Sequence, residues 1–148
     1  LEIAKLIYKS HINVTVVTNM IDIMNLFCND YTRVIFIGGE FNRTRDGFLG
    51  SMAIEQIKSF RFDLSFLGIV GMNVFDGKIT TYDANDGLTK KEVINSSKKS
   101  YIVAEKDKLE LDGNYVFAHL ADFTGYICED KLEGHIQDKI EEYGLEII

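Results

Sequence analysis

Residues 14–39 read VTVVTNMIDIMNLFCNDYTRVIFIGG, a stretch with two short apolar runs on either side of an amphipathic segment. The runs Val14–Thr18 and Val34–Ile37 are largely apolar on successive residues, which is typical of parallel strands covered on both faces. Between them, Met20–Cys28 repeats its apolar side chains at helical spacing, with polar residues on the opposite face. The stretch therefore predicts a strand, a helix and a second strand, the repeating unit of an α/β fold.

The same alternation continues to the end of the chain. Further strands are predicted at Leu64–Ile69, Tyr101–Ala104, Tyr126–Cys128 and Leu145–Ile148. Further helices are predicted at Ser51–Phe60, from a capping box at Thr89–Glu92, and over Leu132–Tyr143 with Gly144 as its C-cap. The pattern predicts an α/β fold with a mostly parallel β-sheet, helices on both faces, and hence three layers.

Length and composition are those of one domain, 1–148, with 46% hydrophobic and 26% charged residues. No apolar run is long enough for a transmembrane helix, so no membrane partner is predicted. Cys28 and Cys128 have neither a disulfide framework nor metal-ligand spacing, and both are interpreted as small core residues of a cytoplasmic protein.

The net charge of −7 limits the possible partners. Affinity for nucleic acid comes mainly from Lys and Arg side chains that neutralise phosphates, and an acidic domain lacks that surface. If the protein regulates DNA, another part of it must make the contact. The chain also opens on Leu1 within a helical pattern and without a capping residue, which predicts an upstream segment in the natural protein.

Candidate binding residues follow the predicted strands, where ligand loops gather in open α/β sheets. Three turn-rich stretches, 38–50, 71–86 and 107–114, occupy such positions. Gly38-Gly39 could let the backbone approach an anion, or could form a tight turn. The charged run Ala104–Lys108 could place a lysine on a phosphate, or could be a solvated surface.

Catalytic residues are not predicted. An isomerase acting on a sugar's C1–C2 proton would need a general base in the loop after Gly68, and the first carboxylate there is Asp76. The three histidines lack metal-ligand spacing, and the chain contains neither GxGxxG nor a Walker lysine. Neither a metal nor a cofactor is expected.

Several short motifs occur in a fixed order along the chain. They are Val16–Asn19 (VVTN), Val34–Gly39 (VIFIGG), Phe62–Gly68 (FDLSFLG), Gly71–Asn73 (GMN), Ala104–Lys108 (AEKDK) and Ile127–Asp130 (ICED). This ordered set resembles the C-terminal sensor domains of DeoR-type transcriptional regulators, whose motifs read VVTN, an apolar strand ending in Gly-Gly, FDKAFIG, GID, ADSSK and IITD. Individually the motifs are unspecific, but the ordered set covers essentially the whole chain.

The resemblance implies the fold of ribose-5-phosphate isomerase and a domain that binds a phosphorylated sugar and thereby alters the DNA affinity of its parent repressor. It implies an N-terminal winged helix-turn-helix, a phosphate loop just ahead of Leu1, and a homo-oligomer. The ligand-binding residues that match the family are Thr18, Asn19, Gly38, Gly39, Gly71, Lys90 and Lys108.

Two departures from the family pattern bear on the ligand. Glu105, Lys106 and Asp107 replace the family's Asp-Ser-Ser, and Asn85-Asp86 stands where the family has an acidic pair. The alternative class is an enzyme of the same fold, a sugar-phosphate isomerase or a deaminase. The loop after Gly68 favours the regulator over this alternative, because the isomerases carry Gly-Ala-Asp-Glu there. A flavodoxin-like or receiver domain would explain the alternation but not the ordered motifs.

Overall fold

The computed structural model describes residues 1–28, 30–44 and 47–148, so Arg45 and Asp46 of the turn-rich stretch 38–50 lie outside the described residues. The described chain divides into two compact units, Leu1–Gln56 and Ile57–Ile148. The prediction that 1–148 forms one effector-binding domain stays a prediction.

The first unit combines a parallel and an antiparallel strand pair. Its elements are α1 (Glu2–Ser10), β1 (Thr15–Thr18), α2 (Ile21–Phe27), β2 (Arg33–Phe36), β3 (Glu40–Asn42), β4 (Gly47–Leu49) and the start of α3 (Ser51–Lys58). β1 and β2 pair in parallel, with Thr18 opposite Phe36. β3 and β4 form an antiparallel pair, with Glu40 opposite Leu49.

The second unit contains the larger sheet. Its elements are β5 (Phe62–Leu67), β6 (Gly71–Met72), β7 (Lys78–Thr81), α4 (Ala84–Asn95), β8 (Ser97–Val103), a 3₁₀ turn (Lys106–Glu110), β9 (Tyr115–His119), a second 3₁₀ turn (Leu120–Asp122), β10 (Gly125–Ile127), α5 (Gly134–Glu142) and β11 (Glu146–Ile147). Four strands form a parallel sheet in the order β11-β10-β8-β5. The remaining three form an antiparallel sheet in the order β6-β7-β9.

The core of the second unit lies between its sheets and helices. Ile102 and Tyr126 are fully buried and pair in register on β8 and β10, and Ile140 of α5 is buried in the same cluster. The chain is therefore an α/β protein with a central parallel sheet, as the alternation predicts. The C-cap of α5 is Tyr143, one residue before the predicted Gly144, which follows at C′ with a φ of 88° in the left-handed conformation that favours glycine at a helix end.

Two predictions about local structure are wrong. α4 begins at Ala84, where the Asp83 side chain accepts a hydrogen bond from the Asp86 amide at 3.0 Å. Thr89 therefore lies inside the helix instead of capping it, since an earlier and better N-cap was available. Cys28 is exposed, because α2 ends at Phe27 and the thiol falls outside the buried face, whereas Cys128 packs against the core as predicted.

Candidate functional site

The carboxyl ends of the parallel strands in the second unit lie at one edge of the sheet. Leu67 ends β5, Val103 ends β8 and Ile127 ends β10, and the registers Leu67–Ile102 and Ile102–Tyr126 place these ends side by side. The segment after β8 carries Lys108, so this lysine emerges at the edge where open α/β sheets hold their ligands.

Lys108 has a weakly held ammonium group. Its Nζ lies 3.0 Å from the Asp107 carboxylate, and the side chain is 30% exposed. An exposed ion pair is worth roughly 0–1 kcal/mol because solvent screens it and side-chain entropy opposes it. The ammonium can therefore exchange this neighbour for a doubly charged phosphate at little cost.

A buried tyrosine holds the start of the lysine-bearing segment. The Tyr126 hydroxyl donates to the Glu105 carbonyl oxygen at 3.4 Å, and the residue has no exposed surface. Burial raises the pKa of the Tyr126 phenol, so the hydroxyl keeps its proton and can donate throughout the physiological range. The sequence does not indicate this contact, because Tyr126 and Glu105 are 21 positions apart along the chain.

Gly71 contacts the C-terminal part of the same segment, at Leu111. A Cβ at this position would come within 1.9 Å of the Leu111 carbonyl oxygen, so only glycine lets the two backbones touch. The Gly71 carbonyl accepts a hydrogen bond from the Thr80 hydroxyl at 3.3 Å. The structure thus brings Gly71 next to the segment that bears Lys108, through a backbone-to-backbone contact.

Lys90 lies in a different environment. Its ammonium donates to Asp86 at 2.7 Å, and Thr81 donates to the same carboxylate oxygen at 2.5 Å. Asp86 and Lys90 side chains are 4% and 21% exposed, and the ammonium also lies 5.8 Å from the centre of the Phe117 ring. The charge of Lys90 is therefore already balanced within the protein. The i,i+4 spacing of Asp86 and Lys90 is the sequence signal that could have revealed this pair.

In the first unit, the parallel pairing of β1 and β2 brings the ends of both strands together. The Asn19 side-chain amide donates to the Phe48 carbonyl at 2.8 Å, and the Thr18 hydroxyl accepts from the Met20 amide at 3.1 Å. These polar groups fasten the strand end to the loops around it.

The glycine pair after β2 is fastened as well. The Gly38 amide donates to Gln56 Oε1 at 3.1 Å, and Gln56 Nε2 donates back to the Gly38 carbonyl at 3.0 Å. A Cβ on Gly39 would lie 2.7 Å from the Leu49 carbonyl oxygen. These contacts favour the tight-turn alternative for Gly38-Gly39, and the sequence alone does not indicate Gln56 as the partner because it lies 18 positions away.

The first carboxylate after Gly68, that of Asp76, is part of a tight turn. Asn73 Oδ1 accepts from the Phe75 amide at 2.9 Å, and Asp76 accepts from the Lys78 amide at 3.0 Å, which closes a tight turn. The hydrogen bond from the Lys78 backbone lowers the pKa of the Asp76 carboxyl. A carboxylate that abstracts a carbon-bound proton near neutral pH benefits from a raised pKa, so the local environment acts in the opposite direction.

Among the residues that the structure describes, no group of three or more His, Cys, Asp or Glu side chains is arranged to hold a metal ion. The described helices also include none that is long and apolar enough to cross a membrane.

The comparisons with known proteins agree with one another. Residues 1–130 match a family model described as the DeoR C terminal sensor domain. The chain is 31% identical over 100 residues to the glycerol-3-phosphate regulon repressor of Escherichia coli, an alignment that covers 67% of this chain and 39% of the relative.

Two further relatives have similar names. The HTH-type transcriptional repressor GlcR of Bacillus subtilis is 24% identical over 138 residues, covering 93% of this chain and 53% of the relative. The lactose phosphotransferase system repressor of Staphylococcus aureus is 22% identical over 131 residues, covering 86% and 51%. The chain spans about half the length or less of the curated relatives that it matches. With most of its length covered by the family model, the chain belongs to the DeoR C-terminal sensor domain family.

Proposed function

We propose that this chain is the effector-sensing domain of a transcriptional repressor, and that it binds a phosphorylated sugar through Lys108. The observation that carries the proposal is the placement of a weakly paired, partly exposed lysine at the carboxyl edge of a parallel sheet. Ligands bind at this edge in open α/β sheets, and a phosphomonoester requires positive charge in a protein of net charge −7.

The other predicted contact residues have less support than Lys108 in this proposal. Gly71 shapes the segment that presents Lys108, whereas Lys90 stays a predicted contact whose charge is balanced by Asp86. Thr18, Asn19, Gly38 and Gly39 stay predicted contacts on the strength of the resemblance alone. The turn that occupies the carboxylate Asp76 supports a regulator over an isomerase or a deaminase.

The proposal includes the parent protein. DNA would be bound by a separate N-terminal domain, since the sensor is acidic, and the effector would shift the protein between two conformers with different DNA affinity. Self-association through the sensor domain and a cytoplasmic location belong to the same proposal, because repressors of palindromic operators are commonly symmetric. The relatives named glycerol-3-phosphate regulon repressor and lactose phosphotransferase system repressor support the proposal that the parent protein is a repressor.

The test is calorimetry on the protein expressed from the complete reading frame. The probes are glycerol 3-phosphate, glucose 6-phosphate and fructose 6-phosphate, each compared with its unphosphorylated counterpart. Lys108→Met keeps most of the stem and removes the charge. Since a charge-assisted hydrogen bond is worth about 1.5–3 kcal/mol, affinity for the best phosphorylated probe should fall about tenfold to a hundredfold.

Lys106→Met is the matched control, because it removes the same charge two residues away, where the lysine lies 3.9 Å from Glu133. It should change the affinity by much less. Equal binding of the phosphorylated probe by wild type and Lys108→Met would remove Lys108 from the site. If none of the three phosphorylated probes binds, the proposal that the effector is one of these phosphorylated compounds is refuted.

A further inference from the structure

The segment that carries Lys108, here called the lysine segment (residues 105–113), is fastened at both ends by buried hydroxyl groups. At its start, the Tyr126 phenol donates to the Glu105 carbonyl at 3.4 Å. At its end, the Gly113 amide donates to Thr80 Oγ1 at 2.8 Å. Both hydroxyls belong to residues of the surrounding sheets, since Tyr126 lies on β10 and Thr80 on β7.

Thr80 joins three pieces of backbone through one oxygen. Its hydroxyl donates to the Gly71 carbonyl of β6 at 3.3 Å and accepts from the Gly113 amide at 2.8 Å. The residue is 4% exposed, so water cannot readily replace either partner. A hydroxyl has a single proton to donate, and here that proton is committed to β6 while the lone pair holds the lysine segment.

Two glycines allow the lysine segment to touch the antiparallel sheet. A Cβ on Gly71 would lie 1.9 Å from the Leu111 carbonyl oxygen, and a Cβ on Gly113 would lie 2.4 Å from the Thr81 carbonyl oxygen. The backbones therefore meet without side chains between them. Because this contact has no soft side-chain layer, the position of the lysine segment depends directly on the Thr80 hydrogen bonds.

We propose that Thr80 is a positioning residue for the phosphate contact of Lys108, with Tyr126 as the second anchor. This inference rests on the proposed function. A charge-assisted bond between an ammonium and a phosphate forms at about 2.7–2.9 Å, so the lysine must be presented within a narrow range of positions. Loss of an anchor lets the lysine segment sample other positions, and binding must then restrict it again. The predicted result is weaker binding of the phosphate group alone.

The experiment measures the ratio of affinities for the phosphorylated and unphosphorylated forms of the best probe, in the protein from the complete reading frame. Thr80→Val keeps the shape of the side chain and removes the hydroxyl. Loss of a neutral hydrogen bond predicts that the affinity for the phosphorylated probe decreases about threefold to tenfold, while the affinity for its unphosphorylated counterpart does not change. Thr80→Ser restores the hydroxyl and should restore the ratio. Tyr126→Phe, which removes only an oxygen, should lower the ratio in the same direction.

Ser65→Ala is the control for loss of a buried hydroxyl. Ser65 pairs with Ser100 at 2.8 Å within the same unit, and neither serine belongs to the lysine segment, so the ratio should stay at the wild-type value. In a Lys108→Met background, Thr80→Val should have no further effect on the phosphorylated probe, because the group that it positions is absent.

The outcomes separate this inference from the proposed function. A lowered ratio in Lys108→Met together with unchanged ratios in Thr80→Val and Tyr126→Phe would overturn the positioning role and leave the proposed function intact. An unchanged ratio in Lys108→Met would overturn both. If Thr80→Val does not fold, Tyr126→Phe still decides the question, since an unchanged ratio in that variant overturns the two-anchor arrangement.

Discussion

Lys90 and Lys108 carry the same charge but have different surroundings. Lys108 faces its neighbour Asp107 at a partly exposed site, whereas Lys90 shares a buried carboxylate with Thr81. A buried carboxylate without its cation is costly, because the charge has lost water and gained no replacement. Lys90 is therefore expected to contribute to stability first and to ligand binding second.

Lys90→Met tests this division of roles. The substitution removes the cation from the buried Asp86 carboxylate, which keeps its hydrogen bond from the Thr81 hydroxyl. It should lower the free energy of unfolding by about 3 kcal/mol. Urea denaturation measures the change. The exposed neighbour provides the control, since Lys91→Met should cost less than about 0.5 kcal/mol. The double variant Asp86→Asn, Lys90→Met should be more stable than Lys90→Met alone, and a Lys90→Met variant as stable as wild type would contradict the assignment.

At the scale of elements, the antiparallel sheet supports the lysine segment, and its shape depends on the β6–β7 turn. Asn73 accepts hydrogen bonds from the Phe75 and Asp76 amides, and Gly77 adopts a φ of 75°. The His119 ring lies directly above Gly77, and His119 Nδ1 accepts from the Ala121 amide at 3.1 Å. The turn and the end of β9 are thus packed against each other.

Gly77→Ala should destabilise the protein for two reasons. An L-residue at this positive φ costs about 1–2 kcal/mol, and the new methyl group would lie 2.2 Å from His119 Nε2 and displace the ring. A total loss of about 2–3 kcal/mol is expected in urea denaturation.

Gly68→Ala is the matched control for this substitution, because a Cβ there meets no atom within 4 Å. It should change stability by less than about 0.5 kcal/mol. A Gly77→Ala variant as stable as Gly68→Ala and wild type would show that the turn does not require its glycine.

At the scale of the whole molecule, the net negative charge opposes binding of DNA by this chain alone. A net charge of −7 opposes the approach of a polyanion, since DNA affinity depends on counterion release by Lys and Arg. Under the proposed function, DNA contact therefore belongs to a part of the protein other than this acidic domain.

A gel-shift assay tests this expectation. Residues 1–148 should not retain operator DNA at 150 mM salt, whereas the protein from the complete reading frame should retain it, because the latter would include the DNA-binding domain. Adding excess nonspecific DNA controls for weak electrostatic capture. Sequence-selective retention by residues 1–148 alone would refute the proposed division of labour.

Much of the parallel architecture could be predicted from the sequence alone. The run Val34–Ile37 is apolar throughout because a strand covered on both faces buries successive side chains. The run Met20–Cys28 is amphipathic because a helix that is buried on one face repeats its apolar residues every three to four positions. The sequence also shows directly that Lys108 follows a predicted strand. These features depend on neighbours along the chain, so the sequence determined them directly.

Only the tertiary structure decided which distant groups meet. The polar start of β8, Ser97–Ser100, is a strand because it pairs with β5, and β7 and β9 pair across more than thirty residues. The joining of Thr80 to Gly113 likewise requires the folded chain. Hydrogen bonds and steric contacts of this kind act over a few ångströms in space regardless of separation along the sequence, and periodicity carries no record of them.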